Sequence, residues 1–158
     1  MADNNSNLIT ELHKLMDGGT AHAGLDDALK DLPASQRGER PYGLPYSIWQ
    51  LVEHIRIAQW DMLEFCKDGN HQSPKWPDEY WPKEAVPASE DDWDRSVTQI
   101  KTDLHELMEL VGTEDLYKPI PHGSGQTLLR EALQAADHTA YHTAEIIVLR
   151  RLLGSWKS

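Results

Sequence analysis

One cysteine, Cys66, stands alone among 158 residues, so no internal disulfide can form. The fold must be held by packing, and a reducing, cytoplasmic setting is the expectation. Positive charge is also scarce: 15 Lys and Arg against 26 Asp and Glu leave a net charge of −11. Nucleic acid and anionic membrane surfaces are recognised through concentrated positive charge, so neither is expected as a partner. Long apolar runs are missing too. The longest purely aliphatic one is Ile146–Leu149, far short of the ~20 residues that cross a bilayer. The opening MADNNSNLITELHK has no basic start followed by an apolar run, so no signal peptide is expected. Strand-length alternation of period two is absent, and so are internal repeats. The length suits a single domain over residues 1–158 with one sizeable core.

Helical spacing is what the chain does have. Leu8, Leu12, Leu15, Leu25, Leu29 and Leu32 recur at steps of three and four between about residues 7 and 32. Gly18-Gly19 interrupts them: either the helix breaks there, or a neighbour packs against the bare backbone. A loop rich in glycine and proline follows, from Ser35 to Tyr46. Ser47, with Gln50 three residues on, has the form of a capping box. It predicts a second helix to about Lys67, with Leu51, Ile55, Ala58, Met62 and Phe65 on its apolar face. Asp68 to Ala88 holds Pro74, Pro77, Pro82 and Pro87 between Trp76, Tyr80 and Trp81. A loop of this length in a small domain is uncommon and often functional. A third helix is predicted from Ser89, with Glu90, Asp91 and Asp92 at its positive end and Gly112 as its stop. The fourth runs from Gln126 or Thr127 to Leu153, with Gly154 ending it and Arg150 and Arg151 favourably placed in its last turns. Four amphipathic helices predict an all-α fold: a four-helix bundle with a long crossover loop between helices two and three.

The residues that need an explanation are polar ones on faces that should be buried. His138 and His142 sit four apart in the last helix, so both imidazoles point the same way. Glu145 falls on that side as well, together with Ala135, Leu149 and Leu152. His54 lies on the apolar face of helix two. Buried polar groups are costly without partners, and three histidines converging from two helices have a joint explanation in a metal ion. Three neutral imidazoles suit a divalent transition metal such as zinc, nickel or iron and leave a position open for water or substrate. Glu145 or Gln50 would fill the fourth place or orient a ligand. An HxxxH pair alone is a weak signal, since such pairs are more often surface or satisfied core residues. The glutamate of the HExxH zinc proteases is also missing, because Thr139 follows His138. Among other residues, His22, His122, Tyr141 and Glu131 are pocket candidates. Against them stand plainer roles: a packed His22, a solvated His122, helix packing for Tyr141 and a salt bridge for Glu131. Cys66 reads as a small hydrophobe rather than a nucleophile.

Three stretches together carry a resemblance: LPYSIWQLVEH around His54, PHGSGQTLLREAL before the last helix, and ADHTAYHTAE at His138 and His142. Over about residues 7 to 154 the chain resembles the DinB-like superfamily, which includes the damage-inducible DinB proteins and the bacillithiol and mycothiol transferase relatives. The resemblance implies a four-helix bundle with a long crossover, a metal between the helices on His54, His138 and His142, and a homodimer. It also implies chemistry on a small-molecule substrate: attack of a low-molecular-weight thiol on an electrophile, or hydrolysis. Glu145 is a departure, since relatives often carry glutamine there. An extra carboxylate adds negative charge beside the metal and can change its preference or act as a base. Two competing expectations remain, a metal-dependent transferase or hydrolase and a non-catalytic, stress-related dimer that only binds metal or a small ligand. Fold analogy is a weak arbiter between them.

Overall fold

A computed structural model describes residues 4–157. Among them the α-helices are α1 (Asn4–Met16), α2 (Leu25–Leu29), α3 (Ile48–Lys67), α4 (Glu90–Thr113) and α5 (Leu128–Leu152), with two 3-10 turns between α2 and α3. The expected helices two, three and four are α3, α4 and α5. No strand forms among the described residues; Pro119 and Thr127 make one isolated bridge. The chain is an all-α bundle in which α3 packs against α4 and α5, and α1 closes the far side against the same two.

Local chemistry places the helix starts. Ser47 Oγ accepts from the Gln50 amide at 3.2 Å, while Gln50 Oε1 accepts from the Ser47 amide at 3.1 Å, completing the capping box. Ser89 caps α4 through the Asp92 amide, and Thr127 caps α5 through the Arg130 amide. The glycine pair near the start settles as a break. Gly18 and Gly19 take φ of +101° and +69°, the left-handed region that ends a helix. A Cβ on Gly18 would also stand 3.0 Å from the Gly24 Cα, so the turn folds back on itself backbone to backbone. Gly112 does not stop α4. It lies inside the helix, which ends at Thr113 when Glu114 turns extended.

The apolar faces meet in two clusters. One joins Ile48, Leu51, Val52 and Ile55 of α3 to Trp93 and Ile100 of α4 and Ile146 and Leu149 of α5. The other joins Leu12 and Met16 of α1 to Leu63, Leu107, Val111, Ala132 and Ala136. Between them in sequence along α3 and α5 lie two buried polar residues, Gln59 and Thr143. His142 is buried next to Thr143, and His54 is buried within the α3 part of the first cluster. Leu152 departs from the expected inward stripe and is exposed.

Candidate metal centre

Helix α3 contributes His54 and helix α5 contributes His138 and His142, and one ring nitrogen from each lies within 4.8 Å of the others. The Nε2 atoms of His54 and His138 face each other at 3.0 Å. The remaining nitrogens fix the tautomers. His54 is 2% exposed, and its Nδ1 donates to the Tyr80 carbonyl at 2.9 Å. A carbonyl can only accept, so the proton sits on Nδ1 and Nε2 turns an open lone pair inward. His142 Nδ1 donates to Glu145 Oε2 at 2.6 Å, and the other Glu145 oxygen accepts from Tyr46 at 2.6 Å. That carboxylate is thus committed to orienting His142, the carboxylate–histidine arrangement that raises ligand basicity. Tyr46, its pKa pushed up to about 12 by the bond to Glu145 and by burial, remains a donor.

Burial, followed by the His142 and His54 rings, pushes the His138 pKa down to about 3. His54 is lowered as well, first by burial and further by His142, against the Tyr80 carbonyl and Glu145, which raise it. Both rings are therefore held in the neutral form that ligates metal. A sign follows for the metal-free protein. The unfolded chain takes up a proton at His138 near the ordinary value of about 6.5, whereas the folded chain resists protonation down to about 3. Stability from this group is complete above the upper value and is lost as pH falls toward the lower one. The Tm of chelator-treated protein is expected to drop across that interval more steeply than that of His138→Leu, as thermal melts in a pH series will show.

The long loop between α3 and α4 forms the wall of the cluster. Trp81 stacks on His54 with ring centroids 3.8 Å apart and 6° between planes. Trp81 also stacks with Tyr46, their ring centroids 6.2 Å apart. Four side chains of α3 or its cap fasten this loop. Asp61 accepts from Tyr80 at 2.6 Å and bonds His71 at 2.7 Å, Gln50 Nε2 donates to the Pro82 carbonyl, and Ser47 Oγ donates to the Ala85 carbonyl; His54 itself is the fourth. The Asp61–Tyr80 bond therefore holds the carbonyl that orients His54. Trp76, 71% exposed, stands 6.3 Å from the His54 ring at the outer edge.

The other candidates lie apart or play supporting parts. Gln50 is spent on the α3 cap, on Arg40 and on Pro82. Tyr141 meets His142 edge-on at 5.0 Å and is 64% exposed. His122 bonds the Phe65 carbonyl from the loop before α5. Glu131 is buried and paired with Arg130. His22 bonds the Ala23 carbonyl and lines a separate cavity. The Cys66 thiol is pushed up to about 12, first by burial and then by Glu131, which removes thiolate character at neutral pH. Tyr46, Tyr80 and Asp61 escaped the sequence reading, because their links to the histidines run through loops and a backbone carbonyl.

Glu145 gives a direct expectation. Glu145→Ala is expected to weaken metal binding about 10- to 100-fold, and Glu145→Gln less, since the amide oxygen still accepts from His142. Competition against a chromophoric chelator measures both.

A family model described as the DinB superfamily matches residues 20–146, a span that holds all three histidines and Glu145. No curated protein and no solved structure matches the chain.

Proposed function

Because this chain belongs to the DinB superfamily, we propose that it is a metal-dependent enzyme acting on a small electrophilic substrate, by thiol transfer or by hydrolysis. His54, His138 and His142 would hold one divalent transition ion, with zinc, nickel and iron all suited to imidazole donors. The donor set fits such an ion: two of the three rings have their Nδ1 proton tied down and present Nε2. Tetrahedral zinc bonds of about 2.1 Å set ligand nitrogens about 3.4 Å apart, close to the 3.0 Å between His54 and His138.

The observation that carries the reading is the size of the cluster. It closes at three ligand atoms among the described residues, and Glu145 is occupied by His142 and Tyr46. Structural zinc is normally closed by four protein ligands, whereas a reactive site keeps a position free. An ion there would supply Lewis acidity, lowering the pKa of a water or low-molecular-weight thiol. Glu145 keeps His142 in the ligating tautomer, Tyr80 does the same for His54, and Trp81 shields one face of His54 from solvent. The lone Cys66 leaves no internal disulfide to maintain, which suits a cytoplasmic setting. No described helix is long and apolar enough to cross a membrane.

A second reading, a non-catalytic metal- or ligand-binding dimer, draws on a different observation. Leu133, Tyr141, Val148 and Leu152 are exposed along one side of α5, an apolar stripe that a second copy of the chain would cover. The test is turnover by metal-loaded protein with glutathione or cysteine plus chlorodinitrobenzene, and with nitrophenyl esters. Activity abolished by chelator and by His142→Ala supports the enzyme. Stoichiometric metal with no turnover, in a protein that light scattering finds dimeric, supports the second reading.

A further inference from the structure

A second concavity lies on the neighbouring face of α5. The turn from Leu15 to Leu25 forms one wall, α4 another and α5 the third, enclosing about 200 Å³. Val97, Ile100 and Leu104 from α4 and Ala136 and Ala140 from α5 give it an apolar interior. Gln59 brings a polar group to that interior. It is 2% exposed, and its Nε2 donates to the Ile100 carbonyl at 2.6 Å, which fixes the end of the amide that is oxygen. The Gln59 Oε1 accepts no hydrogen bond among the described residues, yet unlike the enclosed Thr143 hydroxyl it is not sealed in. The space open to it is the cavity that Gln59 lines. A buried acceptor without a donor is uncommon, because its desolvation goes uncompensated.

The mouth is acidic. Asp17, Asp26 and Asp27 line it and are exposed. Asp26 pairs with Lys101 at 2.9 Å, Asp27 accepts from the Gly24 amide at 3.1 Å, and His22 bonds the Ala23 carbonyl. The Asp17 carboxylate has no hydrogen-bond or ion-pair partner among the described residues. Three carboxylates beside one lysine leave the mouth negative, on a chain whose net charge is −11.

We propose that this cavity binds a small primary amine in its cationic form, an ammonium group on an apolar body of about one ring. The free polar groups, Gln59 Oε1 and the Asp17 carboxylate, are acceptors, so the ligand must bring donors. An ammonium has three N–H donors and the charge that the mouth attracts, and an alkyl amine stays protonated at neutral pH. A carboxylate or phosphate would be repelled by Asp17 and would leave Gln59 unsatisfied. Volume sets the size: an apolar cavity of about 150 Å³ holds a benzene ring, so this one takes a ring with a short aminoalkyl arm.

The site is independent of the metal reading. The cavity lies against Ala136, Thr139 and Ala140 of α5, while His138 and His142 converge with His54 in the cluster. Binding is therefore expected in chelator-treated protein, where no ion on the histidines can hold the amine instead.

Benzylamine is the probe, with benzyl alcohol and benzoate as partners that keep the ring and change only the head group. Saturable binding of benzylamine to chelator-treated wild type, followed by ligand-observed NMR, is the expected result. Intermolecular NOEs should connect its ring protons to the Val97, Ile100 and Leu104 methyls. Benzyl alcohol is expected to bind at least fivefold more weakly and benzoate not at all. Asp17→Asn keeps the shape of an exposed residue and removes its charge. It is expected to weaken benzylamine about two- to fivefold, the worth of an exposed ion pair. Gln59→Met keeps the bulk and removes the acceptor, and is expected to weaken it about fivefold, the worth of one hydrogen bond. Should Gln59→Met fold poorly, Asp17→Asn and the head-group series still decide. Absence of saturable binding, absence of those NOEs, benzyl alcohol or benzoate binding as tightly as benzylamine, or unchanged benzylamine affinity in either folded variant overturns the proposal.

Discussion

Zinc, nickel or ferrous iron added to the chelator-treated protein is expected to raise its Tm by about 8–16 °C, and to leave His54→Ala unmoved. The first number follows from linkage. A ligand that binds only the folded state at a thousand times its Kd adds about 4 kcal/mol, and each kcal/mol moves the Tm of a chain this size by about 2–4 °C. The site exists only when α3 and α5 are docked, since His54 comes from one and His138 and His142 from the other. The unfolded chain has no comparable cluster to hold the ion. His54→Ala removes the ligand that the Tyr80 carbonyl orients and leaves an incomplete pair on α5. The readout is the metal-induced shift rather than the absolute Tm, so the loss of packing beside Trp81 does not confuse it. An equal shift in wild type and variant would mean that the ion binds elsewhere.

Arg150→Met is expected to cost about 3 kcal/mol, a fall in Tm of about 6–12 °C, without touching metal affinity. Arg150 is 4% exposed. Its Nη1 donates to the Ala28 and Lys30 carbonyls at 2.7 and 2.9 Å, and its Nη2 to the Ser155 carbonyl at 2.8 Å. The carbonyls at the end of the five-residue helix α2 lack partners within it, so one guanidinium ties both α2 and the C-terminal residues to α5. Methionine keeps the bulk but strands those carbonyls, and charged hydrogen bonds are the stronger kind. Denaturant melts of metal-free protein measure the cost. A change within about 0.5 kcal/mol, the range of an ordinary surface substitution, would show that the network contributes nothing.

Much of the bundle was legible because its signals are local. Apolar steps of three and four mark α3, α4 and α5, and Ser47, Ser89 and Thr127 announce their starts through hydroxyls that cap amides within three residues. The Gly18-Gly19 ambiguity was real: composition marks a weak point, while a break depends on both residues adopting positive φ. Gly112 misled for the converse reason, since glycine permits a left-handed stop and does not require one. His138 and His142 were legible because side chains four apart share a helical face, and His54 because it falls on the apolar face of its own helix. Glu145 was legible too, as a residue that would fill the fourth place or orient a ligand, but its own partner and the support of His54 were not. Tyr46 and Glu145 are 99 residues apart, and the His54 partner is a main-chain carbonyl with no signature of its own. Arg150 read only as a charge favourably placed in the last turns of its helix. Nothing local says that the C-terminus of α2 needs it as a cap.

Elemental mass spectrometry on untagged wild type beside His142→Ala tests the central claim most directly. The account predicts about one zinc, nickel or iron per wild-type chain, as a single three-imidazole site requires, and essentially none in the variant. A wild-type protein that carries no metal, and whose Tm does not move on adding any, would contradict it. His54, His138 and His142 would then be core polar residues, His54 bonded to His138 and His142 to Glu145.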